Sequence, residues 1–252
     1  MTESGGMGVA QRLIGVFTSP TKTFEAIAAK PGWDWLVPVL ILMVASYALQ
    51  SVAIPKIDME QAVKDQMKIV DKMSKGNIPP EKRAEIEADA LKKAEGSKSP
   101  VIKARNTLFL LIPILLAPAL YRAIAAAFGR KATYKKLVSG YAYTWMIYLI
   151  PIVLTIFIVM SRSEIDQNEL NFARLLKSNV AAFFDFETTS KPLLAILSSL
   201  DVFDIWGFVV GSIAVSKMTE FTRKGAYGVV GFVWGLYILL KVCGGAFLGM
   251  MG

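Results

Sequence analysis

The chain has no histidine, and its only cysteine is Cys243. The first absence removes Ser–His and Cys–His nucleophile pairs and histidine-based zinc sites. With one thiol no intrachain disulfide can form, so cysteine usage carries no information on redox compartment. No G-x-x-x-x-G-K-[ST] loop occurs, which leaves nucleotide hydrolysis without support. No catalytic residue, cofactor or metal is therefore expected, and the chain reads as a non-enzyme. Residues 1–32 lack a basic stretch followed by an apolar core and a small-residue cleavage site, so a cleaved leader is not expected. Thr2 in place of glycine, and a Met-Met-Gly end without a CaaX box, likewise argue against lipidation.

Charge is sparse. Asp, Glu, Lys and Arg make up 19% of the 252 residues, whereas apolar types make up 54%, more than a soluble core of this size needs. Lipid is the expected solvent. A helix needs about 20 apolar residues to cross the hydrocarbon layer, and residues 35–54, 107–128, 137–160 and 226–250 supply such runs. Residues 202–218 form a shorter run that carries Asp204 but is strongly apolar through Phe203, Ile205, Trp206, Phe208 and Val209. The chain is read as an all-α polytopic membrane protein with five transmembrane helices.

Orientation follows from where the bases lie. Residues 129–136 hold Arg130, Lys131, Lys135 and Lys136 without an acid, and residues 217–225 hold Lys217, Arg223 and Lys224 against Glu220. Short basic loops stay in the cytoplasm, which places the N-terminus inside and the C-terminus outside, in a cell membrane. Residues 55–103 would then lie outside despite eleven bases, but they also carry nine acids and form a long segment on which the charge rule weakens.

Between the spans the periodicity is helical. Residues 1–34 form a cytoplasmic N-terminal amphipathic segment: Ser19-Pro20 starts a helix bearing Phe24, Ile27 and Ala28, and Val9, Leu13, Val16 and Phe17 repeat upstream. Two short helices on the membrane surface and a folded-back packing arm are equal readings of this segment. Residues 55–103 read as a helical hairpin insertion, with Met59, Val63, Met67, Val70 and Met73 on one face and a break at residues 76–80. It is either self-packed or a partner-binding surface that exploits flexible methionines. The outside segment 161–200 is expected to contain an amphipathic helix over residues 169–184.

Candidate functional residues lie mainly in the fourth and fifth spans. Asp201 and Asp204 are i, i+3 acids at the start of the fourth, where an acid is costly unless it faces protein or water. They read as a cap and a dipole partner, as half of a structural ion pair, or as a proton or cation site. Lys241 matches Asp204 in depth, about 24 Å against about 20 Å from the cytoplasmic ends, though its azimuth is unfavourable and it could instead snorkel outward. Gly207 and Gly211, Gly231 and Gly235, and Gly245 and Gly249 each make G-x-x-x-G, which lets helix backbones approach closely. Packing of the fourth span on the fifth is favoured over a homo-oligomer. Pro38, Pro113, Pro118 and Pro151 are expected to interrupt the first three spans, and Tyr141, Tyr143, Trp145 and Tyr148 have the composition of an aromatic belt.

Three segments resemble the Yip family, five-span proteins first known as Ypt-interacting proteins, and in particular its bacterial members. They are Phe17-Thr-Ser-Pro20 with Thr23-Phe24 ahead of Trp35, Ser139-Gly140-Tyr141-Ala142-Tyr143 opening the third span, and Leu200-Asp201-Val202-Phe203-Asp204-Ile205-Trp206 opening the fourth. The likeness covers most of residues 15–250 and singles out Pro20, Gly140, Tyr141, Asp201, Phe203 and Trp206. Eukaryotic relatives carry a D-L-Y-G-P type motif that is absent here, so their role in recruiting Rab-type GTPases and in vesicle traffic does not transfer. The resemblance implies a membrane scaffold or accessory protein, linked to export or membrane trafficking. The expected partners are the lipid bilayer and a membrane protein, an exporter being one kind, and not nucleic acid. The competing class is a small-solute or ion transporter using Asp201, Asp204 and Lys241.

Overall fold

The computed structural model describes residues 7–74, 77–165, 172–185 and 188–250, and among these the chain is helical with no β-strand, only two isolated bridges. In chain order the helices are α1 (Val9–Thr18), α2 (Pro20–Ala29), α3 (Leu36–Ala53), α4 (Met59–Met73), α5 (Pro80–Gly96), α6 (Pro100–Leu108) and α7 (Leu111–Ala127). There follow α8 (Tyr134–Thr144), α9 (Leu149–Met160), α10 (Phe172–Leu176), α11 (Lys191–Leu197), α12 (Val202–Met218) and α13 (Arg223–Met250). Four helical stretches are long and apolar enough to cross a membrane: Leu36–Lys56, Pro100–Ala127, Tyr134–Met160 and Arg223–Cys243. Helix α12 has 17 residues and falls just short of that length.

The prolines act in different ways. Pro38 does not interrupt the first span, because it lies in the first turn of α3, where no intrahelical donor is needed. Pro113 cannot donate to the carbonyl of Phe109, and the helix breaks there, with the Ile112 N–H turning to Phe109 at 3.1 Å. Pro118 stays inside α7, where its missing N–H frees the carbonyl four residues earlier. Ahead of Pro151 the third span tightens into a 3₁₀ turn at Trp145–Tyr148 that separates α8 from α9.

The chain divides into two compact units, the first made of Met1–Ala45, Leu108–Ile150 and Val202–Tyr237. Here the N-terminal arm is core. Helix α1 packs on α2 and α8, and α2 on α8 and α12. Val16, Phe24 and Ile27 are fully buried, so the apolar face of the arm meets protein rather than lipid. Full burial of a side chain such as Phe24 contributes about 2–3 kcal/mol.

Helix α12 is the most enclosed of the long apolar helices, with Gly207, Val210, Gly211, Ser212, Ile213, Ala214, Val215 and Met218 all buried. Its neighbours are α8, α2 and the 3₁₀ turn. Small residues make these approaches close: a Cβ on Gly140 would stand 2.9 Å from Cγ of Met218, and one on Gly207 would stand 3.1 Å from the Tyr148 hydroxyl. The α7–α8 loop is closed by Gly129 at φ 66, with its N–H donating to Ala126 at 2.9 Å and that of Arg130 to Ala125 at 2.8 Å. This paired C-terminal cap needs the left-handed backbone that glycine adopts without strain.

The second unit comprises Ser46–Thr107, Pro151–Asp201 and Ile238–Gly252. Helices α4 and α5 pack on each other, with Val63 and Met67 buried. Ile54, Ile57 and Met59 form a small core with Ala62, Leu91 and Ala94. Two of the methionines read as adaptable contacts, Met59 and Met67, are thus inside the hairpin. Asp58 caps α4 by accepting the Gln61 N–H at 3.0 Å, and Arg83 of α5 reaches Asp71 of α4 at 3.0 Å. The Lys68 ammonium and the Gln61 amide hold the Asp65 carboxyl below its ordinary range.

Lys56 joins the ends of the first and third spans. Its ammonium donates to the carbonyls of Val159 at 2.8 Å, Met160 at 3.3 Å and Arg162 at 2.6 Å, placing a cation on a helix C-terminus. The helix expected over residues 169–184 does not form as one piece. Residues 166–171 lie outside the described residues, α10 ends at Leu176 and is followed by Lys177 at φ 51, and a separate turn runs over Val180–Phe183. The cause is Asn179, whose side chain accepts the Ala182 N–H at 2.9 Å and so begins a new turn.

Because Gly140 faces Met218 whereas nothing lies within 4 Å of a Cβ on Gly228, substitution should separate the two. Gly140→Val is expected to destabilise the purified protein by about 1–3 kcal/mol, read as a lower melting temperature in detergent. Gly228→Ala is expected to leave it unchanged or raise it slightly.

Candidate functional site

The polar residues singled out in sequence are tied to other side chains of the protein. In the first unit, Tyr148 donates its hydroxyl to Asp204 at 3.0 Å. The acid sits one turn from Gly207, whose missing side chain makes room for that tyrosine. In the second unit, Ser178 donates to Asp201, which also forms a bridge with Asn179. Lys241 donates to the hydroxyls of Ser198 at 2.7 Å and Ser199 at 3.4 Å. Asn179 reaches the carbonyl of Ser198 at 3.3 Å. Within the second unit, Asp201 and Lys241 thus belong to one polar layer of serines and an asparagine.

A second set was not legible in sequence. Arg12 of α1 is 6% exposed and reaches Asp34, just before α3, at 2.6 Å. Tyr143 of α8 donates to the same carboxylate oxygen at 2.9 Å. The arm, the first span and the third span meet at this one acid. Nearby, Ser139 donates to the Gly32 carbonyl at 3.4 Å. Arg12 Nε is buried without a hydrogen-bond partner among the described residues, which makes its ion pair the main compensation for a buried charge. Arg12 lies in a helix whose apolar spacing draws attention away from it, and Asp34 is the kind of polar residue that commonly precedes a span.

The aromatic residues of the third span are not an interfacial belt. Tyr143 is fully buried, and Tyr141 meets Tyr121 at 5.8 Å and Trp145 at 6.1 Å between ring centroids. Trp145 in turn meets Tyr148 at 5.4 Å, so the rings form a ladder leading to Asp204. The 3₁₀ turn carries Trp145 and Tyr148 of this ladder, while Tyr141 and Tyr143 belong to α8 and Tyr143 turns to Asp34.

Apart from Leu200 and Asp201, the family-like segments lie in the first unit. Pro20 opens α2 at its first position, and Phe17 beside it lies edge-on to Trp206 at 6.0 Å. Gly140 admits Met218 and Tyr141 joins the aromatic ladder, while Phe203 is half-buried on α12. Among the glycines, Gly211 faces Thr144 at 3.5 Å and Val230 at 4.0 Å, and Gly231 faces the Phe208 ring at 3.6 Å, all distances from a Cβ built there. Gly235 meets nothing within 4 Å, and Gly245 and Gly249 lie in the last turns of α13. A cavity bordered by Tyr121, Leu137, Tyr141, Gly211 and Met218 holds about 10 Å³, about the room of one water. No group of three or more acids, cysteines or histidines that could hold a metal occurs among the described residues.

Long apolar helices, polar side chains tied to one another inside them and large apolar residues on their outer faces, such as Leu40, Val44, Leu116 and Phe157, define an integral α-helical membrane protein. A Yip1 domain matches residues 14–243, nearly the whole chain, and the protein belongs to that family. No curated protein and no solved structure matches it.

Asp34→Ala would leave the Arg12 guanidinium buried without its acid, a loss of about 3–5 kcal/mol. Thermal unfolding in detergent should show it as a large drop in melting temperature, and Arg12→Met combined with Asp34→Ala should recover part of the loss. An Asp34→Ala protein as stable as the unaltered chain would show that the pair holds nothing.

Proposed function

We propose that the protein is a five-span, non-enzymatic scaffold or accessory of a membrane complex, with its N-terminus in the cytoplasm and its C-terminus outside. The observation that carries the scaffold reading is the use of its polar groups in and beside the spans: Asp204, Lys241, Arg12 and Asp34 each hold another part of the same chain. The α4–α5 hairpin is rich in charge, and α5 has no buried residue. A charged, self-packed hairpin outside the bilayer is a surface for a membrane-protein partner, an exporter included.

The fifth crossing has its own support. Phe128 at the end of α7 meets Phe221 between α12 and α13 at 5.8 Å. Lys217 at the end of α12 meets Glu25 of the arm at 2.6 Å. The third span carries the chain to the opposite side after Phe128, so a chain that returns to Phe221 crosses once more, and α12 is the helix available. At about 1.5 Å per residue its 17 residues extend about 26 Å, close to the hydrocarbon thickness. Burial in protein relieves α12 of the need to be uniformly apolar.

Alkaline phosphatase fused after Gly252 should be active, and fused within residues 129–136 inactive; the reverse pattern would invert the orientation. For function, the full chain and one lacking residues 61–95 are purified in mild detergent and compared by mass spectrometry. A membrane protein should accompany the first and not the second. Nothing accompanying either form removes the scaffold reading. The transporter reading, favoured by a half-buried acid beside a broken helix, makes a different demand: Asp204→Asn would assemble normally yet abolish flux in liposomes.

A further inference from the structure

Two loops distant in sequence meet at one end of the first unit. Phe128 closes α7 and its ring lies edge-on to Phe221, with centroids 5.8 Å apart and planes at 72°. Ala132 of one loop and Phe221 of the other also pack against the core of the unit. Each loop is thereby fixed by apolar contacts, and its bases stay in the open: Arg130, Lys131, Lys135, Arg223 and Lys224 are all exposed. Glu220 is the acid of these loops, while Lys217 is engaged by Glu25 of the arm. Phe128 remains 69% exposed in spite of its ring contact.

Position decides what such a surface binds. Phe128 ends a helix apolar enough to cross the bilayer, Tyr134 begins a second and Arg223 a third. Five exposed bases around an exposed aromatic ring therefore stand where hydrocarbon gives way to headgroups. Lys and Arg at that level attract anionic phosphates, and an exposed ring is solvated by acyl chains and glycerol backbones rather than by water. We infer that the paired loops, joined through Phe128 and Phe221, form a binding surface for anionic phospholipid headgroups of the leaflet they face. The surface depends on the membrane placement of these helices and on no protein partner. A soluble phosphate would gain nothing from Phe128, which separates a lipid from a free anion.

The test uses the full chain in mild detergent, titrated with phosphatidylglycerol or with phosphatidylcholine of the same acyl chains, and retained lipid is read by native mass spectrometry. Phosphatidylglycerol should be retained in clear preference. Removing four charges with Arg130→Gln, Lys131→Gln, Arg223→Gln and Lys224→Gln should weaken its retention on the order of a thousandfold. The matched hairpin variant, Lys82→Gln, Lys92→Gln, Lys93→Gln and Lys98→Gln, should retain it as the unaltered chain does. Phe128→Ala should weaken retention without any change of charge. Equal retention of the two lipids by the unaltered chain overturns the inference whatever the stability of the variants. So does a preference that survives in the loop variant, or displacement of the lipid by inorganic phosphate or by polyglutamate at equal charge.

Discussion

In the proposed five-span arrangement, a helix with an acid in its first turn and only 17 residues is tolerable in a bilayer because protein encloses it, and the contacts of the first unit serve that enclosure. Helix α12 lies against α8 and α2, and the contacts that enclose it come from small residues: Gly140 admits Met218, Gly207 admits Tyr148, and Gly211 admits Thr144. Without a hydrophobic force between helices in lipid, such close van der Waals approach is the main source of association. The acid that would otherwise be costly becomes part of the packing, because the Tyr148 hydroxyl meets it.

The N-terminal arm completes the enclosure. Its buried Phe24 and Ile27 come from a helix that would be unremarkable in isolation, and Arg12 reaches past the core to Asp34. The same carboxylate accepts from Tyr143, so one acid fixes the arm, the start of the first span and the third span together. Lys56 performs a comparable task in the second unit by closing the carbonyls at the end of the third span. In each case a charge is retained within the fold because it joins elements distant in sequence.

The apolar runs were legible because span length and helical composition are set by the bilayer, and four such helices are present. The family resemblance was legible for a related reason. Its three segments are packing surfaces that meet one another, as Phe17 and Trp206 do. Less was legible where a choice depends on tertiary contact. The arm's amphipathic spacing fits lipid or protein equally, and only the burial of Val16, Phe24 and Ile27 decides it. Pro38 looked like an interruption until its place in a first turn was known. The residues 169–184 kept helical spacing across a cap at Asn179 that hydropathy does not register. Arg12 and Asp34 lie 22 residues apart, and no periodicity connects them.

Sidedness of thiol labelling tests the proposed crossing at α12 most directly. With Cys243 replaced by alanine, single cysteines at Arg130, Ser178 and Glu220 are exposed in intact cells to a membrane-impermeant maleimide. The account predicts that the cysteines at 130 and 220 react only after the cells are opened, while that at 178 reacts from outside. Labelling of 130 and 220 from opposite sides of the membrane would contradict it.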